Sequence, residues 1–506
     1  MKKVLGRILI VLPAVILQVL WYLLVLGLLN NLFHEYFWDA LNIVLSVLAV
    51  VFVTGLIAKR DESSYKLLWV MVIVAMPILG TLLYFFLGNK STGKRLKKKL
   101  ERATATLPKP CDQAHIEEIQ RDDLRLGQTL SRISQATGFP IVKNGTSKYY
   151  SFGEEMFQDM CRDLQAAQDY IYVEYFIIQS GKFWDTLADI MAQKVKEGVD
   201  VRVMYDDLGS IGTFSVTDVL ELKKKGIKCI PFNPFLFIKS QLNNRDHRKI
   251  MVIDGKIAYS GGINLADEYI NEVERFGYWM DCAVILKGEA VNSFVAMFCA
   301  MWRFTTRETL DLAEHLAENH NVEANGYVLP YCDDPLSERN PAEGIYMQIL
   351  NTARDYVYIT SPYLIIDSTM ITTLRMAAKS GVDVRIITPN IPDKWYVHPV
   401  TQYNYLELLE AGVRIYEYTP GFIHSKLFVS DDMVATIGTV NMDYRSFIMH
   451  FECGVWMYGN ETVTEIKEHF NEILGQSKEI KLKEWQCEPW YRRLKRAILH
   501  LFAPFL

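Results

Sequence analysis

The stretch Arg245-Asp-His-Arg-Lys-Ile-Met-Val-Ile-Asp-Gly-Lys-Ile-Ala-Tyr-Ser-Gly-Gly-Ile-Asn264 decides how the chain is read. A near-copy follows as Ile423-His-Ser-Lys-Leu-Phe-Val-Ser-Asp-Asp-Met-Val-Ala-Thr-Ile-Gly-Thr-Val-Asn441. Both read H-x-K-x-x-x-x-D, then six residues, then G-[GT]-x-N. His247 and Lys249 are two apart, so on a strand they share a face. Asp254-Gly255 is a two-residue hairpin signal. Folding there pairs His247 with Gly262 and returns Asn264 to the His end. Asp431-Asp432 turns the second copy and pairs His424 with Thr439. Each copy is therefore expected to be a β-hairpin with imidazole, ammonium and carboxamide gathered at one end. That set suits a phosphate: a nucleophile or acid, a fixed cation and a neutral donor. One such hairpin alone is as readily an ordinary one with His and Lys in solvent. Two copies with the same spacing argue for a shared site.

These residues resemble the phospholipase D superfamily, whose signature is two H-x-K-x4-D-x6-G-S-x-N motifs. Gly262 and Thr439 stand where that family usually has Ser. Thr keeps a hydroxyl and Gly does not, so the two half-sites are expected to be chemically unequal. The resemblance implies a catalytic set of His247, Lys249, Asp254, His424, Lys426 and Asp431. Site chemistry of this kind substitutes at a phosphodiester: one His attacks phosphorus to form a phosphohistidine, and the other moves the proton. The family's usual order makes His247 the nucleophile and His424 the acid and base, a choice the residues alone do not make. Lys249, Lys426, Asn264 and Asn441 are expected to hold the phosphoryl oxygens. For Asp254 and Asp431, at the far turn, structural and direct roles both stay open.

The chain repeats well beyond the motifs. Ala167-Gln-Asp-Tyr-Ile-Tyr-Val matches Ala353-Arg-Asp-Tyr-Val-Tyr-Ile, and Gly198-Val-Asp-Val-Arg-Val matches Gly381-Val-Asp-Val-Arg-Ile. The offset, roughly 180 residues, is that of a duplicated domain rather than a solenoid. Val-, Ile- and Tyr-rich strands between amphipathic helices predict an α/β sandwich in each half. Two lobes related by a pseudo-twofold, about 136–325 and 326–480, would bring both hairpins to one cleft. Trp279-Met-Asp-Cys-Ala-Val aligns with Phe451-Glu-Cys-Gly-Val and sets Asp281 opposite Glu452. A carboxylate in that place suits the support of a catalytic His. The Asp206-Asp207 pair is a weak metal signal. No metal-ligand cluster is evident, and neither metal nor other cofactor is expected.

Length and composition set the wider frame. The chain has 506 residues, half of them hydrophobic, and a formal net charge of −5. That balance argues against a general nucleic-acid binder. The eight cysteines form no C-x-x-C pair and read as reduced, buried thiols.

Residues 1–100 form an expected membrane region. Three apolar segments, about 8–32, 37–58 and 67–88, each match the ~20 residues that cross a bilayer as a helix. Lys and Arg precede the first, separate the second from the third and follow the third. Three full crossings cannot keep all of them on one side. A third segment that bends at Pro77 and Gly80 and returns would leave them, and the lobes, cytoplasmic. Residues 101–135 read as a linker with some helix. The tail, 481–506, mixes Arg and Lys with Leu, Ile and Phe at helical spacing, the pattern of an interfacial helix or of one docked on a lobe.

From about residue 50 to its end the chain resembles bacterial cardiolipin synthases. The resemblance rests on the membrane hairpin, both motifs, Tyr205-Asp-Asp-Leu-Gly-Ser210, Pro231-Phe-Asn233 and Ser361-Pro-Tyr363. The segment 8–32 is an addition to that pattern. The resemblance implies a bacterial membrane enzyme moving phosphatidyl from one phosphatidylglycerol to another, with anionic phospholipids as partners. A phospholipase D-type hydrolase and a non-catalytic membrane scaffold are the alternatives.

Overall fold

The computed structural model describes residues 35–59, 63–84, 94–105, 113–143, 145–234, 243–316, 326–335 and 340–505, with Val19 and Leu23. The expected apolar segment 8–32 thus lies, apart from those two positions, outside the described residues. Compactness divides the chain into residues 1–93 with 235–243, and a second unit holding nearly everything else.

In the first unit the helices are Glu35–Ile57, Ser63–Ala75 and Pro77–Leu83. Pro77 has no N–H to continue the preceding helix, and the chain turns at Met76. As far as residue 84 the third apolar segment is therefore two short helices rather than one rod. They approach closely, for a Cβ on Gly80 would come 2.5 Å from the Val72 carbonyl oxygen. On the Glu35–Ile57 helix Ile43, Val47, Val50 and Phe52 are exposed. No helix of the described residues is long and apolar enough to cross a membrane.

The second unit carries two sheets. The first comprises β1 (Gly145–Tyr150), β2 (Tyr170–Tyr175), β3 (Asp200–Asp206), β4 (Lys228–Phe232), β5 (Lys249–Ile253), β6 (Ile257–Gly261) and, after the short β7 (Tyr278–Met280), β8 (Ala283–Gly288). The second uses β9 (Tyr327–Asp333), β10 (Tyr356–Thr360), β12 (Asp383–Pro389), β13 (Arg414–Tyr418), β15 (Leu427–Ser430), β16 (Val434–Gly438), β18 (Glu452–Tyr458) and β19 (Ser477–Glu479). Between them in sequence lie short β11 (Leu364–Ile365), β14 (Gly421–Ile423) and β17 (Met442–Asp443).

The first sheet runs β1-β8-β6-β5-β2-β3-β4 and the second β9-β18-β16-β15-β10-β12-β13-β19. Apart from the added β19, the two orders are the same. In each, three parallel strands join a run of antiparallel ones at the central pair, β2·β5 or β10·β15. The α/β reading and the duplication both hold. Strand β2 shows how the first sandwich is filled: Ile171, Val173 and Tyr175 enter one apolar cluster, Tyr170 and Tyr172 another. Helix Ala290–Thr306, almost wholly buried, belongs to the cluster that runs on into the second lobe.

Two expectations change. Residues 101–135 hold helices Gln113–Asp122 and Leu124–Thr137 besides the end of Lys94–Thr104. Their Ile116, Ile119, Leu130 and Ile133 are buried in the main cluster. The polar composition had concealed that narrow apolar stripe. The hairpin register is also shifted by one. Ile253 pairs with Ile257, and Ser430 with Val434. Asp254 and Gly255 take left-handed φ of 53° and 63°, as do Asp431 and Asp432 at 53° and 57°. The two residues turn as expected, but Lys256 and Met433 are each an extra residue before pairing resumes. His247 is therefore not opposite Gly262, nor His424 opposite Thr439.

Candidate active site

The two lobes meet by exchanging the ends of their motif segments. Asp246 bridges Phe451 in parallel fashion, with His247 N–H donating to the Phe451 carbonyl at 2.9 Å. In the mirror arrangement β14 pairs with β7, Ile423 beside Met280, and His424 N–H donates to the Met280 carbonyl at 2.7 Å. Each His thus lies one residue past the contact, and so does the carboxylate of the opposite lobe.

The consequence is a crossed pair of hydrogen bonds. His247 Nδ1 stands 3.0 and 2.9 Å from the two Glu452 oxygens. His424 Nδ1 stands 2.6 Å from Asp281 Oδ2. A carboxylate accepts only, so each Nδ1 carries the proton and each Nε2 keeps its lone pair. Repeat alignment identified both carboxylates. It did not reveal that each serves the His of the other lobe.

Both rings are more than nine-tenths buried, as are Lys249, Lys426, Asp281 and Glu452. Lys249 Nζ donates to the His247 carbonyl at 2.7 Å, and Lys426 Nζ to that of His424. Burial and both ammonium groups push His247 well below the usual imidazole range. Burial and Lys426 lower His424 to about 4, with Asp281 returning part of its basicity. Burial, reinforced by Lys426, lowers Lys249 to about 7 against partial support from Glu452. Burial alone would raise Asp281, but Lys426 and His424 outweigh it and hold the carboxyl below its ordinary value. The four motif groups therefore share one electrostatic neighbourhood.

The half-sites differ as the motif departures suggest. Thr439 Oγ1 donates to Glu452 Oε2 and accepts from Cys453 N–H at 3.0 Å. At Gly262 that place is taken: a Cβ there would lie 2.0 Å from Asp281 Oδ1. The neighbours differ too. His247 is flanked by Phe176 and His450, at centroid distances of 4.8 and 5.5 Å, and His424 by Tyr269 and Trp279, at 5.6 and 5.5 Å. No motif signalled His450 or Tyr269. Trp279 belongs to the repeat, but nothing in the repeat signals its contact with His424.

The remaining candidates divide. Asp254 accepts from the backbone N–H of Gln168, Asp169 and Tyr170 at 2.8–2.9 Å. Asp431 does the same for Arg354, Asp355 and Tyr356 at 2.8–3.0 Å. Both tie the far turn to the start of the neighbouring strand, and their oxygens are spent there. Asn264 Oδ1 accepts from Ile177 N–H at 3.1 Å and its Nδ2 donates to Tyr269 Oη at 2.8 Å, so it braces loops. Asn441 is buried with an Oδ1 that accepts no hydrogen bond from the described residues.

The acidic pair Asp206-Asp207 gives no cation site. Asp206 is fully buried and accepts from Leu208, Gly209 and Asp246 N–H and from Arg245. Among the described residues, metal-ligand spacing occurs at His247, His450 and Glu452, whose ligating atoms lie within 4.8 Å of one another. The sequence, read for ligand motifs, gave no sign of this grouping. It overlaps the His247–Glu452 hydrogen bond, so a cation there would displace the contact that sets the tautomer.

The cardiolipin synthase, PLD-like domain family matches residues 160–302 and 346–474. The phospholipase D-nuclease N-terminal family matches residues 44–89. An uncharacterized protein of Streptococcus mutans serotype c is 44% identical over 89% of this chain and 98% of its own. A cardiolipin synthase of Halalkalibacterium halodurans is 32% identical over 97% of this chain and 99% of its own. Among solved structures, a phosphatidylserine synthase of Haemophilus influenzae superposes with a TM-score of 0.57 over 74% of this chain and 99% of that one. At 16% identity this is a likeness of fold.

Proposed function

Because the chain belongs to the cardiolipin synthase family of phospholipase D-like proteins, we propose that it is a phosphatidyltransferase that makes cardiolipin and glycerol from two molecules of phosphatidylglycerol. The crossed His–carboxylate pairs carry this reading, because each holds a proton on Nδ1 and leaves Nε2 for the chemistry, and both rings lie within electrostatic reach of Lys249 and Lys426.

His247 is the nucleophile. Its neutral ring, held with Nδ1–H on Glu452, attacks phosphorus through Nε2 as the glycerol oxygen departs. The phosphohistidine that forms is cationic at the ring, and Glu452 balances it. His424 takes up a second proton, at Nε2, when the phosphodiester binds, and passes it to the leaving oxygen. It is the ring to which Asp281 returns basicity, and an anionic phosphodiester in the cleft adds to that effect. The neutral His424 then takes the proton of a second phosphatidylglycerol hydroxyl, which attacks phosphorus and frees His247. Lys249 and Lys426 stabilise the phosphoryl oxygens, and Asn441 offers an amide to the same group. Asp254 and Asp431 act only through the hairpins they hold.

Burial of the site favours a lipid alcohol over water as acceptor. The N-terminal region anchors the enzyme in the bacterial membrane, with the lobes on the cytoplasmic side. The apolar segments and the cations Lys90 to Arg102 support that placement, each cation attracting anionic headgroups by about 1 kcal/mol. Incubation with phosphatidylglycerol tests the activity. Cardiolipin with equimolar glycerol supports transfer, and phosphatidic acid as sole lipid product refutes it in favour of hydrolysis. Loop tagging tests the topology: a post-88 segment labelled from outside refutes it.

A further inference from the structure

The tail is folded the wrong way round for a helix in water. Helix Trp490–His500 reads Trp-Tyr-Arg-Arg-Leu-Lys-Arg-Ala-Ile-Leu-His. At 3.6 residues per turn, Trp490, Tyr491, Leu494 and Ile498, with Leu501 and Phe502 of the next turn, fall on one stripe. All six are exposed, Trp490 by 73% and Ile498 by 50%. The opposite face is the one docked on the second lobe. Arg496 is buried, pairs with Glu488 and lies 4.0 Å over the Trp485 ring. His500 stacks on Tyr403 at 3.9 Å. Leu499 and Ala503 pack with Val397, Val400, Ile365 and Tyr444 in a small apolar cluster. The polar and mixed side is thus held inward, and the apolar stripe is turned out.

We infer that this stripe is a bilayer-docking surface that sets the second half-site against an anionic lipid interface; the inference deepens the proposed function and rests on it for the substrate. Three observations select a bilayer as the occupant. Exposed Arg493 and Lys495 border the stripe, and the helix carries no acidic residue. Two copies meeting through this face would set cation against cation, whereas anionic headgroups would neutralise them. Trp490 and Tyr491 lie at one end, residues suited to the headgroup level. Trp395, 72% exposed, adds a further aromatic in the loop before helix His398–Tyr403, on which the tail packs. The anchoring cluster includes Tyr444, three residues beyond Asn441. Tail and half-site therefore share one packing unit, and docking the stripe orients the cleft relative to the lipid.

The test uses the full chain, reconstituted in phosphatidylcholine vesicles, and its variant W490S/L494S/I498S. All three positions are exposed, so the fold has no call on them. Cardiolipin formation from long-chain phosphatidylglycerol within the vesicles should fall at least tenfold. Formation from monomeric dihexanoyl phosphatidylglycerol should stay within twofold of the parent. In vesicles with brominated acyl chains, parent Trp fluorescence should be quenched more than that of W490F. Equal rates on vesicle lipid, equal loss on both substrates, no Trp490 quenching, or a parent dimer that the triple variant abolishes would each overturn the inference. A parent that makes no cardiolipin sinks the activity, while the quenching measurement still judges the docking.

Discussion

Replacing Asp281 by Asn should cripple one half of the reaction through a histidine in the other lobe. The His424–Asp281 contact is 2.6 Å long, and both groups are buried. When His424 is protonated, its charge centre lies about 4 Å from that of the carboxylate. At an effective dielectric constant of ~20 the pair is worth about 4 kcal/mol. The neutral ring gains little of this. Removing the charge while keeping the shape should therefore depress the ring by up to about three pKa units. Loss of glycerol, which needs that proton, should slow by up to about 10³-fold. The assay compares two donors in the pre-steady state: phosphatidylglycerol, and a p-nitrophenyl phosphatidyl ester whose leaving group needs no acid. D281N should release nitrophenol at close to the parent rate and glycerol at the reduced one. E452Q, which disturbs the proposed nucleophile, should slow both. If D281N slows both donors equally, or if the two variants exchange behaviours, the crossed assignment and the division of labour between His247 and His424 are refuted.

Three further outcomes follow from the geometry. Gly262→Ser, the residue usual in the family, should destabilise the chain by about 1–3 kcal/mol and lower kcat, because its Cβ needs the space of Asp281 Oδ1; an unchanged Tm and rate would contradict this. Asp254→Ala strands three backbone N–H groups and should cost about 2 kcal/mol or more in denaturant unfolding, with kcat per folded molecule nearly kept; a normal Tm with lost kcat would restore Asp254 to the chemistry. Stability should fall as pH drops from about 6.5 to 4, since unfolded His takes up a proton near 6.5 while folded His424 resists to about 4. The unfolded state binds more protons in that window, so the slope is positive and His424 contributes about 3 kcal/mol to it; pH scans of His424→Gln should show the slope reduced.

Much of this was legible because the chain says it twice. The repeat revealed two α/β lobes, both motifs and the Asp281/Glu452 correspondence without any three-dimensional knowledge. What stayed hidden was whatever depends on how the lobes meet. Local spacing is blind to the Asp246·Phe451 and Ile423·Met280 contacts, and these decide which carboxylate serves which ring. The register slipped because the turn dipeptides are signals for a two-residue loop, while Lys256 and Met433 add one residue to it. Residues 101–135 read as a linker because few of their side chains are apolar. Those few fall on one helical face, and that is enough to bury them. His450 had no motif to announce it and comes to His247 only through the lobe exchange.

The crossing of the carboxylates makes the two halves of the chain hostage to one another. Neither lobe contains a complete proton path, so a separately expressed half would be inert unless it met its counterpart in the native pose. Drawing the lobes apart by about 1 Å along these contacts would stretch both imidazole–carboxylate pairs beyond hydrogen-bond range at once. On the proposed mechanism the pair of rings is an interlock that arms only when the halves are seated, and a misassembled enzyme would fall silent rather than cleave lipid without control.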